Sequence, residues 1–488
     1  MNSSEMKVQV TGAEADQTLQ LGAALDVQRA HRRQHGAPDY EARKSLITRT
    51  IELVADNKDA LVAAMSADYG NRSREQSLMS DIAATISELK YARKHMKHWI
   101  KPERAKVDFP LNLLGSKAWI EYQPVGVVGI VAPWNFPIFL SLGPLAEIFA
   151  AGNSAVLKPS EYTPETSELL RTLAEKYFQP HELTVVTGGV EVGIAFTKQP
   201  FDHLLFTGAT SIARHVLHAA ADNLMPVTLE LGGKSPVIVG ESADMELAAR
   251  RVAGGKLFNA GQVCLAPDYA MVPKGRLDQF VSQVQTEMAK SYPSLKDNPD
   301  YTSIATDRSF ERLRAMVDQA RQQGANVIEV NPADEDLSTA NHRAMAPTII
   351  VDPDESLEVM QDEIFGPILP VLPYESVDEA IDFVNDRERP LALYYFGDDS
   401  AEQDRVLNTT TSGGVTINDV IMHSTQNTLP FGGIGHSGMG AYHGIHGFRR
   451  FSHAKAVYKQ TKLDFLFGAI RPPYTESFFK FIGSKLDK

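Results

Sequence analysis

The chain reads as an α/β protein built from two doubly wound parallel-sheet domains with a small additional β element. Three observations predict this. Between residues 125 and 233 short apolar runs alternate with helical stretches, the pattern of repeated β-α-β units. From about Lys234 to Phe431 a second alternation of the same kind follows. At 488 residues the chain exceeds one ordinary core, so two or more domains are expected.

Residues 1–20 are polar and are expected to be flexible, and Met1 to Lys7 lack the apolar core of a secretion signal. From about Leu21 to Ile100 the pattern is helical. Leu46, Ile47, Ile51, Leu53, Val54, Leu61 and Val62 recur at helical intervals, and Gly70-Asn71-Arg72 marks a break before a second helical run from Ile82 to Trp99. Residues 101–122 carry Pro102, Pro110 and Gly115, with Ala118 to Tyr122 reading as a strand, an excursion from the main body. Val125 to Leu157 is apolar and long enough to cross a bilayer, but Pro133, Pro137, Pro144, Asn135 and Glu147 would break and charge such a helix. A buried strand, a turn and a buried helix explain it better, so no transmembrane segment is expected.

Strands are predicted at 125–132, 154–158, 183–187, 203–207 and 227–230. Thr163 with Pro164 opens a helix that runs to about Phe178. In the second unit strands are predicted at 236–239, 269–272, 348–351 and 414–418. No internal repeat or low-complexity segment is evident.

Composition narrows the function classes. A hydrophobic fraction of 43% with 22% charged residues is ordinary for a globular protein. The net charge of −13, from 48 basic and 61 acidic residues, argues against nucleic acid as a partner. One cysteine permits no intrachain disulfide, which points to a reducing compartment and a cytoplasmic protein.

That sole cysteine, Cys264, lies in Phe258-Asn259-Ala260-Gly261-Gln262-Val263-Cys264-Leu265-Ala266-Pro267. Asn135, Lys158, Gly208 and Glu230 fall at or just past predicted strand ends, where ligands bind in doubly wound sheets. Three further motifs accompany Cys264: Pro133-Trp134-Asn135-Phe136-Pro137, Leu229-Glu230-Leu231-Gly232-Gly233-Lys234 and Glu363-Ile364-Phe365-Gly366-Pro367. With these four motifs in this order the chain resembles the aldehyde dehydrogenase superfamily, from about the third helix to near the C-terminus. Gly438 to Gly444 resembles the tail of its class-3-like branch, which includes coniferyl and fatty aldehyde dehydrogenases.

The resemblance implies a small-molecule aldehyde substrate, NAD or NADP as cofactor, and a free carboxylic acid as product. An aldehyde carbon needs a soft nucleophile, an oxyanion donor, a hydride acceptor and a base for water. Cys264 is the one candidate thiolate and would pass through a thiohemiacetal and a thioester. Asn135 can donate its amide to the oxyanion alongside the Cys264 N–H. Glu230, closing an apolar strand, is the general base; the bland alternative is a strand-end carboxylate paired with Lys234. CoA-acylating relatives generally lack this base, so a CoA-acylating enzyme and a catalytically silent structural relative are the rival readings.

For the cofactor, Lys158 and Glu161 resemble the family's adenosine-ribose contacts. Glu363 resembles the residue that holds the nicotinamide ribose, with Phe365 and Trp134 beside the ring. Gly208 and Ala209 open a helix N-terminus suited to phosphate. Ala209 and Ala213 depart from the family's usual residues, which leaves NAD versus NADP open. Gly433 to Gly438 matches GxGxxG by letter but follows Leu429-Pro430-Phe431, so it reads as a substrate-mouth loop. His215/His218 and His443/His446 lack metal-site partners, and no metal is expected. Tyr122, Trp134, Phe136, Ile421 and Met422 could line an apolar tunnel.

The domains expected are a dinucleotide-binding unit (21–102 and 124–233), a catalytic unit (234–431), an oligomerisation element (103–123 and 445–465) supporting a homodimer, and a C-terminal tail (466–488). The apolar stretch Phe478 to Ile482 in that tail suits a helix over the substrate entrance better than a membrane contact.

Overall fold

The computed structural model describes residues 12–109, 111–464 and 471–486. The first helix, Gly12–His35, begins inside the segment expected to be flexible, so that expectation is corrected from residue 12 onward; residues 1–11 lie outside the described residues. Its Leu21, Ala24 and Leu25 are buried against the first sheet, and this packing orders a sequence that composition alone marks as loose.

Helix Tyr40–Asp56 is capped by Asp39, whose carboxylate accepts the Ala42 N–H at 2.9 Å, and buries Leu46, Ile47, Ile51, Leu53 and Val54. Helix Lys58–Tyr69 ends at Gly70, which takes φ +81°. The next helix, Arg74–Ser77, passes through a π-helical turn, Leu78–Ala83, into Ala84–Trp99. Asp81 in that turn is fully buried. It pairs with Arg72 at 2.7 Å and accepts the N–H groups of Ile138 and Phe139 at 3.0 and 3.1 Å, which anchors the loop carrying Trp134 and Asn135.

Strands β1 (Glu103–Ala105) and β2 (Lys117–Pro124) pair antiparallel in a small sheet whose third strand arrives from the C-terminus. The first large sheet holds β3 (Val127–Val131), β4 (Ser154–Lys158), β5 (Leu183–Val185), β6 (His203–Thr207) and β7 (Val227–Glu230), in spatial order β5-β4-β3-β6-β7 and all parallel. The chain reverses direction of winding at β3, between β4 and β6. The second sheet holds β8 (Pro236–Val239), β9 (Tyr269–Pro273), β10 (Asn326–Glu329), β11 (Thr348–Val351), β12 (Ile368–Tyr374), β13 (Ala392–Phe396) and β14 (Gly414–Ile417), ordered β10-β11-β12-β9-β8-β13-β14. Within it β10 alone is antiparallel to its neighbour. β15 (Gly438–Met439) returns to pair antiparallel with β7, and β16 (Ser452–Lys459) pairs with β2 along eight residues.

The two-sheet α/β architecture and the small third sheet agree with the sequence expectation. The apolar stretch from 125 to 157 folds as β3, two short helices (Phe139–Leu142 and Leu145–Ala151) and β4. Among the described residues no helix is long and apolar enough to cross a membrane. One buried cluster runs from Ile47 and Met96 through Ile130 and Phe149 to Val237, Val252 and Val371, joining the helices and both sheets.

Candidate active site

The C-terminal ends of the first sheet's strands set the frame. The loop after β3 carries Trp134 and Asn135, β4 ends at Lys158, β6 leads into Gly208 and Ala209, and β7 ends at Glu230. Strand register places Val131 beside both Lys158 and Phe206, and Thr207 beside Glu230, so these residues share one edge.

The cysteine arrives from the other unit. Helix Met245–Leu257 ends, and Asn259, Ala260 and Gly261 follow with φ of +50°, +53° and +74°. Left-handed backbone at an alanine is strained and persists only where surroundings impose it. Here the Gln76 side-chain oxygen accepts the Asn259 N–H at 2.9 Å. Fully buried Gln262 donates to Asn259 O and Ser303 O at 3.1 and 3.0 Å and accepts the Ala305 N–H at 2.8 Å. A β-carbon at Gly261 would stand 2.2 Å from the Gly366 carbonyl, so only glycine lets this turn lie against the 363–367 segment.

Asn135 is 3% exposed and donates one amide hydrogen to the Gln262 carbonyl at 3.2 Å, two residues ahead of Cys264. Its own carbonyl accepts from the Asn259 amide at 3.2 Å and the Tyr69 hydroxyl at 3.3 Å. The amide's second hydrogen is left for another acceptor. Beyond the cysteine, Tyr394 donates to the Leu265 carbonyl at 2.5 Å.

Glu230 is buried, and neither carboxylate oxygen has a hydrogen-bond partner. Burial pushes its pKa well above the usual carboxylate range, with Arg450 pulling the other way. The pairing with Lys234 that a strand-end reading allows is not made: Lys234 pairs with Asp268 and donates to the carbonyls of Val359 and Asp362 at 2.8 and 2.9 Å. Glu363 covers the Gly232 backbone, and burial raises it to about 8, reinforced by Asp268 and opposed by the Gly233 N–H, Lys234 and Arg312. Arg312 holds the motif in place by donating to the carbonyls of Glu363 and Ile364 at 3.2 and 2.5 Å. Cys264 is partly exposed; burial first, then the charges of Glu363 and Glu230, raise its thiol pKa. One thiol and two carboxylates thus share an electrostatic neighbourhood, each favouring its protonated form.

Trp134 and Phe365 meet edge to face at 5.4 Å between ring centroids, Phe365 with φ +50°. Lys158 is buried, and its ammonium pairs with exposed Glu161 at 2.9 Å. Helix Thr210–Asp222, which follows Gly208 and Ala209, has neither a capping side chain nor an acidic residue in its first turn. Its free N–H groups lie at the strand-end edge, and that donor set fits the diphosphate of a dinucleotide. The GxGxxG-like run instead forms a turn into β15: Gly438 pairs with Glu230, and the Ser437 carbonyl accepts the Leu231 N–H at 3.1 Å.

Of the tunnel residues, Tyr122 sits in the small sheet with its hydroxyl bonded to Glu103 at 3.0 Å and its ring against Phe448, which corrects its expected place in the tunnel. Phe136 is buried against Phe258 beneath Arg72. Sequence reasoning missed Gln262 as a support, Arg450, and buried Tyr442, which faces the charges of Glu230, Glu88, Glu147 and Cys264. Next to Tyr442 lies a buried cluster: His443 approaches Glu88 at 3.5 Å, and Glu147 accepts the Gly444 N–H at 2.9 Å. Burial raises Glu88 to about 8 and lowers His443 to about 3, so that contact is not an ion pair at neutral pH. No local signal could reveal these contacts, because each joins segments far apart in sequence.

Comparison with known proteins defines the class. Residues 2–457 match the aldehyde dehydrogenase family, and the chain belongs to it. It is 53% identical over 458 residues to the coniferyl aldehyde dehydrogenase of Pseudomonas sp., covering 94% of each chain. It is 39% identical over 427 residues to aldehyde dehydrogenase family 3 member A2 of Rattus norvegicus, covering 87% of this chain and 86% of the relative. Among solved structures, a substrate-bound Staphylococcus aureus AldH superposes with a TM-score of 0.89 at 35% identity, over 96% of this chain and 99% of that one. A Mycobacterium tuberculosis aldehyde dehydrogenase complexed with NAD+ follows at 0.80 and 27%, over 91% of each. The class-3-like branch and NAD(P)-dependent aldehyde oxidation are therefore the chain's family assignment.

Proposed function

We propose that the protein oxidises a cinnamaldehyde-type aldehyde such as coniferaldehyde to the free acid, with Cys264 as nucleophile. The similarity to a coniferyl aldehyde dehydrogenase over 94% of both chains supports the aromatic substrate over the medium or long aliphatic one. Cys264 gives its thiol proton to solvent, its thiolate sulfur attacks the carbonyl carbon, and the free hydrogen of the Asn135 amide with the Cys264 N–H receives the oxyanion. One such donor is worth roughly 3 kcal/mol in a dry site. The thiohemiacetal on Cys264 becomes a thioester by loss of a hydride, for which bound NAD or NADP would supply the acceptor. Glu230 then takes a proton from water, the hydroxyl adds to the thioester carbon, and the Cys264 thiolate leaves as the acid forms.

For the cofactor, Lys158 and Glu161 would hold the adenosine ribose, the free amides that follow Gly208, from Ala209 onward, the diphosphate, and Glu363 the nicotinamide ribose beside Phe365 and Trp134; the Gly208 N–H itself donates to the Glu230 carbonyl at 3.0 Å. In domain terms, 21–102 with 124–233 binds the dinucleotide and 234–431 supplies the catalytic unit. Among the described residues the outer edge of β16 has no strand partner and most of its residues are exposed, which supports a homodimer in which residues 103–123 and 445–465 take part. A single cysteine fits a cytoplasmic location.

The observation that carries this reading is Glu230: buried, unpartnered, electrostatically coupled to Cys264, and not neutralised by Lys234. The test is formation of reduced nicotinamide from NAD and from NADP with coniferaldehyde, benzaldehyde and decanal, for wild type and Cys264→Ser. Signal with coniferaldehyde that the variant loses supports the assignment. A requirement for CoA would overturn the hydrolytic role of Glu230.

A further inference from the structure

At the opposite edge of the first sheet, where β4 and β5 begin, helices Gly12–His35 and Tyr40–Asp56 enclose a cleft of about 380 Å³. Its wall carries His31, Arg32, His35, Arg49 and His181 against one carboxylate, Glu182. That carboxylate is fully used: Arg49 grips it with two hydrogen bonds of 2.8 and 2.7 Å, and the Gln179 N–H adds a third at 2.9 Å. Arg32 donates to the carbonyls of Gly152 and Pro124 at 2.9 and 3.4 Å, which orient its guanidinium without neutralising it. Behind it Arg43, likewise bonded to carbonyls (Pro38 and Ala150, both 2.9 Å), adds a second positive charge close by.

The imidazoles are arranged as a stack. His31 lies 3.7 Å from His181 and 4.3 Å from His35, ring centroid to centroid, with interplanar angles of 14° and 26°. Stacked faces place any two imidazolium charges against each other, so protonation here needs a counter-charge. Gln28, which also lines the cleft, gives its amide hydrogens to Ala155 O and Pro180 O at 2.9 and 3.2 Å and leaves its buried oxygen without a partner. The cleft therefore offers concentrated positive potential plus one acceptor in want of a donor, on a chain whose net charge is −13.

We propose that this cleft is an anion site, separate from the catalytic edge, that binds a phosphate group. A monoprotonated phosphate supplies both requirements: oxygens for Arg32 and the imidazoles, and a P–OH for Gln28. Free phosphate offers the P–OH as its dianion and a small phosphate monoester offers it as its monoanion, so the two share this chemistry. Binding is linked to protons. In the free protein burial, then His181 and His35, depress protonation of His31, with Glu182 acting against them. The charged groups lining the cleft around the stack are Arg32 from its own helix, Arg49 from the next, and Glu182 beside His181; Asp202, bonded to the Val127 N–H at 2.8 Å, faces Arg32, and Asp39 faces Arg43 behind it. A bound anion favours the imidazolium, so affinity, taken per concentration of the phosphate species that binds, rises as pH falls through the histidine range.

The test is calorimetric titration of inorganic phosphate and of glycerol 3-phosphate into NAD-saturated protein, so that the cofactor site is filled, at pH 6 and pH 8. Expected are saturable binding about fivefold or more tighter at pH 6 once affinity is expressed per concentration of the monoprotonated phosphate, and a loss of about tenfold in the double variant His31→Gln, His181→Gln. His35→Gln, at an exposed position, gives a smaller loss in the same direction and serves if the double variant does not fold. A monoester that binds more tightly than phosphate identifies a metabolite as ligand; equal affinity identifies free phosphate. No binding at either pH, binding indifferent to pH, or affinity unchanged in the variants overturns the proposal.

Discussion

Glu363 rests on the backbone of Gly232: a β-carbon added at Gly232 would stand 2.0 and 2.3 Å from its two carboxylate oxygens. The atom in the way is the tip of a flexible side chain, and Gly232 does not use a left-handed φ. Gly232→Ala should therefore push the Glu363 carboxylate aside without unfolding the chain. The expected result is a rise of about tenfold in KM for NAD with the melting temperature nearly unchanged. An unaltered KM would show that Glu363 does not hold the cofactor.

The proposed role of Glu230 as base predicts the pH profile. Burial raises its pKa, so it holds its proton to higher pH than an ordinary glutamate, and only the carboxylate accepts a proton from water. Turnover should climb in wild type as pH rises past the range in which an ordinary glutamate titrates. Glu230→Gln should lower kcat by roughly 10²-fold or more and abolish that climb. Measured kcat-against-pH curves of the same shape in both proteins would rule out Glu230 as the base.

The pair between Lys158 and Glu161 bears on cofactor choice. On the proposed placement at the adenosine ribose, the Glu161 carboxylate would repel an added 2′-phosphate and also neutralise the nearest cation. Glu161→Gln removes the repulsion and frees Lys158, so kcat/KM for NADP relative to NAD should rise about tenfold. A ratio that stays put would place the ribose elsewhere.

The buried carboxylates predict a stability effect. Glu88 holds its proton up to about pH 8 in the folded chain, whereas an unfolded glutamate releases it near its ordinary value of 4.5. Between those two pH values the folded state binds more protons, so Glu88 erodes stability as pH rises. Glu88→Gln removes that slope. The difference in melting temperature, variant minus wild type, should grow by a few degrees between pH 5 and pH 9. A difference constant with pH would mean that Glu88 titrates normally.

Much of the fold was legible because parallel strands buried on both faces leave continuous apolar runs. β4, β6, β7, β8 and β11 fall where those runs lie. β12 was not, since Pro370 and Pro373 argue against a strand by propensity, yet both sit within its parallel ladders. The π-helical turn at 78–83 has no sequence period of its own. At the candidate site, the strand-end positions of Lys158 and Glu230 could be read from local pattern. The partners could not: Lys234 finds Asp268 across 34 residues, and Gln262 finds Ser303 and Ala305 across more than 40. Such pairings are decided by packing, which a single chain of letters does not record.

The left-handed run at Asn259, Ala260 and Gly261 sets conformational comfort against chemistry. Ala260→Gly would relieve roughly 1 kcal/mol of backbone strain and stabilise the folded chain, while granting the cysteine segment freedom that orientation-dependent attack penalises. A screen for thermal hardiness would reward that substitution, and a screen for turnover would discard it.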